Sequence, residues 1–151
     1  MMDDTHEVMI TESDDEAAYY AARKIPYIVW LNERNRERSF PDGSYCVENL
    51  SDIDARYLDR VYRRFHDIPW DIAETARLRI REITVEDVPQ LYELYSDASV
   101  TQFMEPLFRE PEQEMIYTRE YIKNVYGFYG YGMWVLESRE SGRIIGRAGL
   151  E

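Results

Sequence analysis

The chain has 151 residues, of which 44% are hydrophobic and 32% are charged, and its formal net charge is −12. This composition is typical of a folded globular protein and leaves room for one domain or two small ones. The negative charge makes nucleic acid an unfavourable partner, because affinity for phosphate backbones comes largely from lysine and arginine. It equally disfavours an anionic membrane surface. We therefore expect no nucleic-acid and no membrane partner.

The single cysteine, Cys46, excludes an intramolecular disulfide framework and fits a reducing, cytoplasmic location. Only two histidines accompany it, so a zinc site with four nitrogen or sulfur ligands cannot be assembled, and no metal is expected. The first residues show no basic segment followed by an apolar run, so no signal peptide is predicted. No stretch is apolar over the length that a membrane-spanning helix needs.

The first half of the chain predicts a small α/β unit. Its expected elements are a strand over 8–11, a helix over 14–23, a strand over 25–31, a strand over 45–48 and a helix from Ser51 or Asp52 to about His66. Ser13 and Glu16 have the spacing of a capping box at the start of the first helix. The continuous apolar run over 25–31 is typical of a strand buried on both faces of a parallel sheet.

The periodicity changes after residues 68–75, which predicts a boundary between domains at 1–74 and 75–151. The expected elements beyond it are a strand over 77–83, a helix over 84–96, a helical turn over 99–104, a helix over 111–126 and hairpin strands over 133–137 and 143–150. The first strand alternates, with Leu78 and Ile80 on one face and Arg77, Arg79 and Arg81 on the other. This basic row could meet a phosphorylated ligand, but pairing with acids on neighbouring elements is favoured.

Three segments in this order, Thr75–Met104, Tyr129–Glu137 and Ser141–Glu151, resemble the GCN5-related N-acetyltransferase (GNAT) superfamily, and more closely its ribosomal-protein acetyltransferase branch. The expected fold class is therefore α/β (α+β), with the small α/β unit followed by a truncated, GNAT-like strand–helix–helix–hairpin half-domain. The resemblance implies transfer of an acetyl group from acetyl-CoA to an amine, on a small molecule or a protein.

In that family a fourth strand leads into a glycine-rich loop at a helix N-terminus, which binds the cofactor pyrophosphate. The residues through Glu151 contain no such segment, so we expect this chain alone to bind acetyl-CoA poorly. We also expect the last strand to present an open edge through which the chain self-associates. The alternative to an enzyme is therefore a non-catalytic interaction module that uses this edge.

The resemblance implies a substrate-binding side but identifies no catalytic and no cofactor-binding residue. Its candidate residues are Phe103, Met104, Glu105, Tyr129, Tyr131 and Trp134. The aromatic side chains could line an acceptor groove or pack at a sheet edge. Glu105 could attract an amine, although an exposed loop acid needs no such role.

Residues 10–33 are similar to the late part of haloacid-dehalogenase-like hydrolases, in which an acid after a strand holds Mg²⁺. The nucleophile motif of that family is not recognised anywhere in the 151 residues, so a structural or adaptor role, and not phosphatase activity, is expected for the first half. Asp14 and Asp15 are candidates for such an acid, but acids in a first turn also complement the helix dipole, and that structural role is favoured.

Overall fold

The computed structural model describes residues 7–102 and 104–150. The chain forms two compact units, Met1–Ile68 and Pro69–Glu151. The first contains a three-stranded parallel sheet and the second a four-stranded antiparallel sheet, each accompanied by helices. The predicted mixed α/β class is confirmed.

The first unit is organised around its central strand. Its elements are β1 (Met9–Thr11), α1 (Asp14–Ala22), β2 (Tyr27–Trp30), β3 (Tyr45–Val47) and α2 (Ala55–Phe65), with the strands in the order β1-β2-β3. Val29 packs with Ala17 of α1, and Ile28 packs with Val61 of α2. Because consecutive strand residues point to opposite faces, β2 is buried on both faces, as predicted.

The start of α1 forms only half of the predicted capping box. The Ser13 hydroxyl accepts a hydrogen bond from Glu16 N at 3.3 Å. The Glu16 carboxylate does not return to Ser13 N but accepts from the Thr11 hydroxyl at 2.5 Å, and Ser13 N donates to that hydroxyl oxygen at 3.0 Å. The Thr11 hydroxyl at the end of β1 thus replaces Ser13 N as the hydrogen-bond donor to the Glu16 carboxylate.

Helix α2 begins later than predicted. Ser51 and Asp52 lie in a 3₁₀ turn, Leu50–Asp52, and the N-cap is Asp54, whose carboxylate accepts from Tyr57 N at 2.7 Å. Several acidic and hydroxyl residues compete for the cap in this segment, and the side chain that reaches a free helical N–H decides the start.

The second unit contains one antiparallel sheet with helices packed on it. Its elements are β4 (Asp71–Glu74), β5 (Leu78–Arg81), α3 (Val88–Tyr95), α4 (Ala98–Thr101), α5 (Pro111–Tyr121), α6 (Gly127–Tyr129), β6 (Met133–Ser138) and β7 (Ile144–Gly149). The strands lie in the order β4-β5-β6-β7, so the predicted hairpin is confirmed as β6 and β7. The core contains Ile83, Leu91, Tyr126, Val135 and Ile144.

Strand β4 was not predicted, since residues 71–74 were placed in the first domain. This strand pairs antiparallel with β5, and the pairing continues through Trp70, whose N–H donates to the Glu82 carboxylate at 2.9 Å while its carbonyl accepts from Glu82 N at 3.0 Å. Glu82 is 1% exposed. A short, largely polar edge strand carries almost no periodicity of its own, so only its partner reveals it. The division into functional domains stays a prediction.

The end of β7 approaches the start of β6 closely. A Cβ atom on Gly149 would lie 2.0 Å from the carbonyl oxygen of Gly132 and 2.7 Å from the Cα atom of Met133. Both are backbone atoms, which cannot move aside without disturbing the hairpin. Gly146, in the same strand, has room, since its Cβ would meet only the Leu136 side chain at 3.5 Å.

The substitution Gly149→Ala should therefore lower the free energy of unfolding of the second unit by at least about 2 kcal/mol, the usual scale of overpacking. Gly146→Ala is the matched control and should change it by less than about 0.5 kcal/mol. Urea unfolding followed by tryptophan fluorescence measures both, because Trp70 and Trp134 lie in the second unit. Equal effects of the two substitutions would contradict the close approach.

Candidate functional site

Two tyrosines hold the first residue of β6. The Tyr121 hydroxyl accepts from Met133 N at 2.7 Å, while the Tyr126 hydroxyl donates to Met133 O and accepts from Ile83 N at 3.3 Å. Tyr126 is 1% exposed, and burial raises the pKa of its phenol above the ordinary value. It therefore stays a neutral donor and acceptor that connects the helical segment to Ile83, two residues beyond β5, and to β6.

A π-helical turn, Ile122–Tyr126, brings these two tyrosines to the same side. In an α-helix, residues five apart are more than a third of a turn out of line. The i→i+5 pattern of a π turn brings them close to one face, and the two rings contact edge to face at 5.2 Å between centroids. The sequence pattern predicted a plain helix to about residue 126, and nothing in it indicated this turn.

Three exposed aromatic side chains follow directly, and we call Phe128, Tyr129 and Tyr131 the aromatic platform. Their exposed fractions are 79%, 57% and 43%. The centroids of Phe128 and Tyr129 are 4.9 Å apart and those of Tyr129 and Tyr131 are 5.7 Å apart. Tyr129 and Tyr131 were candidate residues, whereas Phe128 was missed, although the run FYGY from Phe128 to Tyr131 already placed it beside them in sequence.

Trp134 lies in β6 and is half-buried. Its indole Nε1 is buried and has no hydrogen-bond partner in the part of the chain that the structure describes. No ring contact joins Trp134 to Tyr129 or Tyr131 within those same ranges. The structure therefore brings the two tyrosines together and leaves the tryptophan in the sheet.

The loop before α5 carries the other candidates. Phe103 lies outside the described residues. The Met104 sulfur accepts from the Tyr95 hydroxyl at 3.7 Å. Glu105 is exposed and forms no hydrogen bond or ion pair with any described residue. Among the residues described, no hydrogen bond or ring contact joins Met104 or Glu105 to the aromatic platform, so the six candidates do not form one cluster.

The later part of this loop is anchored at Phe108. Its N–H donates to the carboxylate of Glu114, which is 4% exposed, at 3.0 Å, and its carbonyl accepts from the Tyr92 hydroxyl at 2.6 Å. Its ring contacts Tyr117 at 5.7 Å, and Tyr117 contacts Tyr121 at 6.1 Å. A chain of rings thus connects the loop to the tyrosine pair.

The basic row on β5 is paired with acids, which confirms the favoured alternative for two of its members. Arg81 donates to both Asp87 oxygens at 2.7 and 2.9 Å and to Glu137 at 2.8 Å. Arg79 donates to Asp71 at 2.7 Å. The Asp87 hydrogen bonds raise the pKa of Arg81, which burial opposes. Burial alone would raise the pKa of Asp87, but hydrogen bonds from Arg81 and Thr84 outweigh it and hold that pKa below its ordinary value.

We expect Arg81→Gln to cost about 3 kcal/mol of unfolding free energy at neutral pH, because it leaves a buried carboxylate without its counter-charge. The side chains of Arg81 and Asp87 are only 12% and 7% exposed. Arg143→Gln removes an exposed pair with Glu93, whose side chains are 67% and 64% exposed, and should cost less than about 1 kcal/mol. Chemical denaturation of both variants measures the difference.

The pH dependence has a definite sign. Because the pKa of Asp87 is lowered on folding, its stabilisation is fully present above the unfolded pKa of about 3.9 and is lost as pH falls through the folded pKa. The gap between wild type and Arg81→Gln should therefore shrink in acid. A gap that is constant from pH 7 to pH 2 would contradict the role of Asp87.

The first unit has a cleft at the carboxyl ends of β1 and β2. Its volume is about 330 Å³ and its lining residues are Glu12, Trp30, Asn32, Glu33 and Arg34. The Asn32 amide donates to the Glu12 carboxylate at 2.7 Å. Asp14 pairs with Arg38 at 2.8 Å, and this hydrogen bond lowers the pKa of Asp14. Among residues 7–102 and 104–150, no group of three His, Cys, Asp or Glu residues is placed to hold a metal ion.

Comparisons with known proteins give one match. Residues 77–151, about half of the chain, match the family model described as an acetyltransferase (GNAT) domain. No curated protein and no solved structure matches the chain. The ribosomal-protein branch and the dehalogenase-like resemblance stay predictions. In the described residues, no helix has the length and apolar character needed to cross a membrane.

Proposed function

Since residues 77–151 belong to the GNAT acetyltransferase family, we propose that this protein takes part in the transfer of an acetyl group from acetyl-CoA to an amine. In this reaction the amine nitrogen forms an amide bond to the acetyl carbonyl carbon, the carbon–sulfur bond breaks, and the proton lost by the amine balances the thiol of the released CoA. The family match to the unit that carries the antiparallel sheet is the observation that supports the proposal.

The residues of this chain do not fit the pyrophosphate of acetyl-CoA. Arg79 and Arg81 are paired with Asp71, Asp87 and Glu137. Among the described residues from 77 to 150, no glycine-rich loop leads from a strand into a helix, the arrangement of backbone N–H groups that holds phosphate. We therefore assign residues 1–151 the acceptor side of the reaction and propose that they are inactive by themselves.

The acceptor side is proposed to include two separate groups of candidates. One is Tyr129 and Tyr131, with Trp134 nearby in sequence, and the other is Glu105, with Phe103 and Met104 nearby in sequence. Exposed tyrosine rings supply amphipathic contact area, and the carboxylate supplies a charge opposite to that of a protonated amine. The anchoring of this loop at Phe108 and of β6 at Met133 supports a preorganised surface.

Residues 1–151 should show no saturable binding of acetyl-CoA below about 100 μM, a free energy weaker than about −5.5 kcal/mol, because the cations on β5 are already paired. Isothermal titration calorimetry measures this directly. The comparison protein carries residues 1–151 followed by the fourth strand, glycine-rich loop and next helix of another family member, and it should bind. Binding by residues 1–151 at tens of micromolar or tighter would contradict the assignment.

Transfer itself is tested with the extended protein, radiolabelled acetyl-CoA and a panel of amines. Amide formation that needs the extension supports the proposed function. If the extended protein folds, binds acetyl-CoA and acetylates no amine in the panel, the function is wrong.

A second candidate function is a non-catalytic interaction module. Within the described residues β7 is an edge strand, paired only with β6. Ile145 is 54% exposed and Leu150 is 60% exposed. An edge with free N–H and C=O groups and apolar side chains can add a strand from another chain. We propose that the protein self-associates through this edge.

Ile145→Lys should weaken self-association, because a charge on an edge strand opposes pairing. Ile116→Lys is the matched control, since it makes the same change at a side chain that is 58% exposed on α5. Sedimentation velocity over a concentration series should show a shift that Ile145→Lys removes and Ile116→Lys keeps. A wild type that sediments as a monomer at high concentration would contradict self-association through this edge.

A further inference from the structure

We propose that the aromatic platform, Phe128, Tyr129 and Tyr131, is a docking surface for an extended peptide segment that carries lysine or arginine side chains. This inference rests on the proposed function only in making the peptide a protein acceptor for acetyl transfer. Binding of the peptide is a separate event that needs no acetyl-CoA.

The platform is held by the structure below it. Gly130 has φ +71°, a conformation that favours glycine, and its N–H donates to Tyr126 O at 3.0 Å. The Trp70 ring, 5% exposed, lies 3.6 Å from where a Cβ atom on Gly130 would be. Tyr126 is buried in the core and hydrogen-bonded to Ile83 and to Met133 of β6. The three rings are thus presented on an anchored turn, which reduces the ordering cost of binding.

The chemistry of the platform favours a cation. Each exposed ring offers a π face of negative potential, which attracts ammonium and guanidinium groups. The first unit contains such a contact, in which the Arg23 guanidinium carbon lies 3.8 Å from the Tyr19 ring centroid. The segment from Tyr126 to Trp134 contains no charged residue that would repel a cation. The net charge of −12 adds long-range attraction for a basic partner.

The dimensions of the platform favour a peptide over a small amine. The centroid separations of 4.9 and 5.7 Å join the three rings into one continuous surface, which is larger than a single amine group. Side chains at alternate positions of an extended segment lie on one face, about 7 Å apart, so more than one of them can lie against this surface. A single amine group would cover one ring and leave the others in water.

Charge argues against a second copy of the protein as the occupant. Two copies would each carry a charge of −12. At the platform, unlike the edge of β7, no strand offers backbone pairing to offset the repulsion. A basic peptide gains from the same field that keeps two copies apart.

The test measures fluorescence anisotropy of two labelled decapeptides, one of alternating lysine and glycine and one of alternating glutamate and glycine. The wild type should bind the lysine peptide and not the glutamate peptide. Phe128→Ala combined with Tyr129→Ala and Tyr131→Ala should weaken binding by about tenfold or more. Tyr129→Phe combined with Tyr131→Phe should stay within about twofold, because the rings remain.

Two single substitutions serve as controls. Tyr19→Ala removes an exposed aromatic ring in the first unit, and Ile116→Ala removes an exposed apolar side chain in the second. Both should leave binding unchanged. Circular dichroism and thermal unfolding verify the fold of each variant. A loss of peptide binding by the triple variant counts only if that variant is folded. If the triple variant is unfolded, the single variant Phe128→Ala, at a side chain 79% exposed, is used in its place.

Several results would overturn the inference. These are no binding of the lysine peptide, equal binding of the glutamate peptide, equal loss in the controls, or spermidine binding as tightly as the peptide. Self-association that the triple substitution abolishes would point instead to a second copy.

Failure of the proposed function is distinguishable from failure of this inference. If the wild type binds the peptide but the extended protein transfers no acetyl group, the proposed function is wrong and the inference of a peptide-binding platform is still supported. Acetyl transfer to the lysine peptide with an unchanged KM in the triple variant leaves the function standing and overturns the platform.

Discussion

The buried charge cluster around Arg81 is the constraint on which the second unit depends. One guanidinium on β5 reaches Asp87, at the start of α3, and Glu137, on β6. Its Nη1 also donates to Glu82 O at 3.1 Å. A charge this deeply buried must be paired, because desolvation without a partner costs several kcal/mol. Strands β5 and β6 and helix α3 are therefore stable only in the relative placement in which the Arg81 donors all have acceptors.

The tyrosine pair is a second constraint, and it connects the core to the surface. The Tyr121 hydroxyl accepts from the backbone N–H of Met133 and the Tyr126 hydroxyl donates to its carbonyl. The π turn between the two tyrosines makes this arrangement possible. The chain then turns at Gly130 over Trp70 and exposes three rings in succession. A surface that is fixed in this way can bind without first being ordered. This physical link relates the core of the family domain to the proposed acceptor side.

Parts of this arrangement were predictable because their signal is local. The alternation of Leu78 and Ile80 with Arg79 and Arg81 indicated a strand with a basic face, and pairing with acids was favoured. The proline at the start of α5 and the apolar run of β2 also predicted their elements correctly. Strand β4 and the late start of α2 were missed, because a polar edge strand and a choice among several caps depend on which partner is within reach. Two of the three platform residues, Tyr129 and Tyr131, were sequence candidates for an acceptor groove, and that role stays a prediction. The sequence indicates aromatic residues but not their exposure.

The sequence by itself determined the mixed α/β class, the order of its main elements and the family resemblance of its second half, because periodicity, capping residues and short motifs act over a few neighbouring positions. Only the tertiary structure decided that Arg81 meets Glu137, 56 residues away, and that Tyr126 meets Ile83, 43 residues away. Such partners are chosen by strand register and by the rotation of a helix turn. Strand register and helix rotation both follow from the packing of the whole unit, and no single stretch of the sequence indicates them.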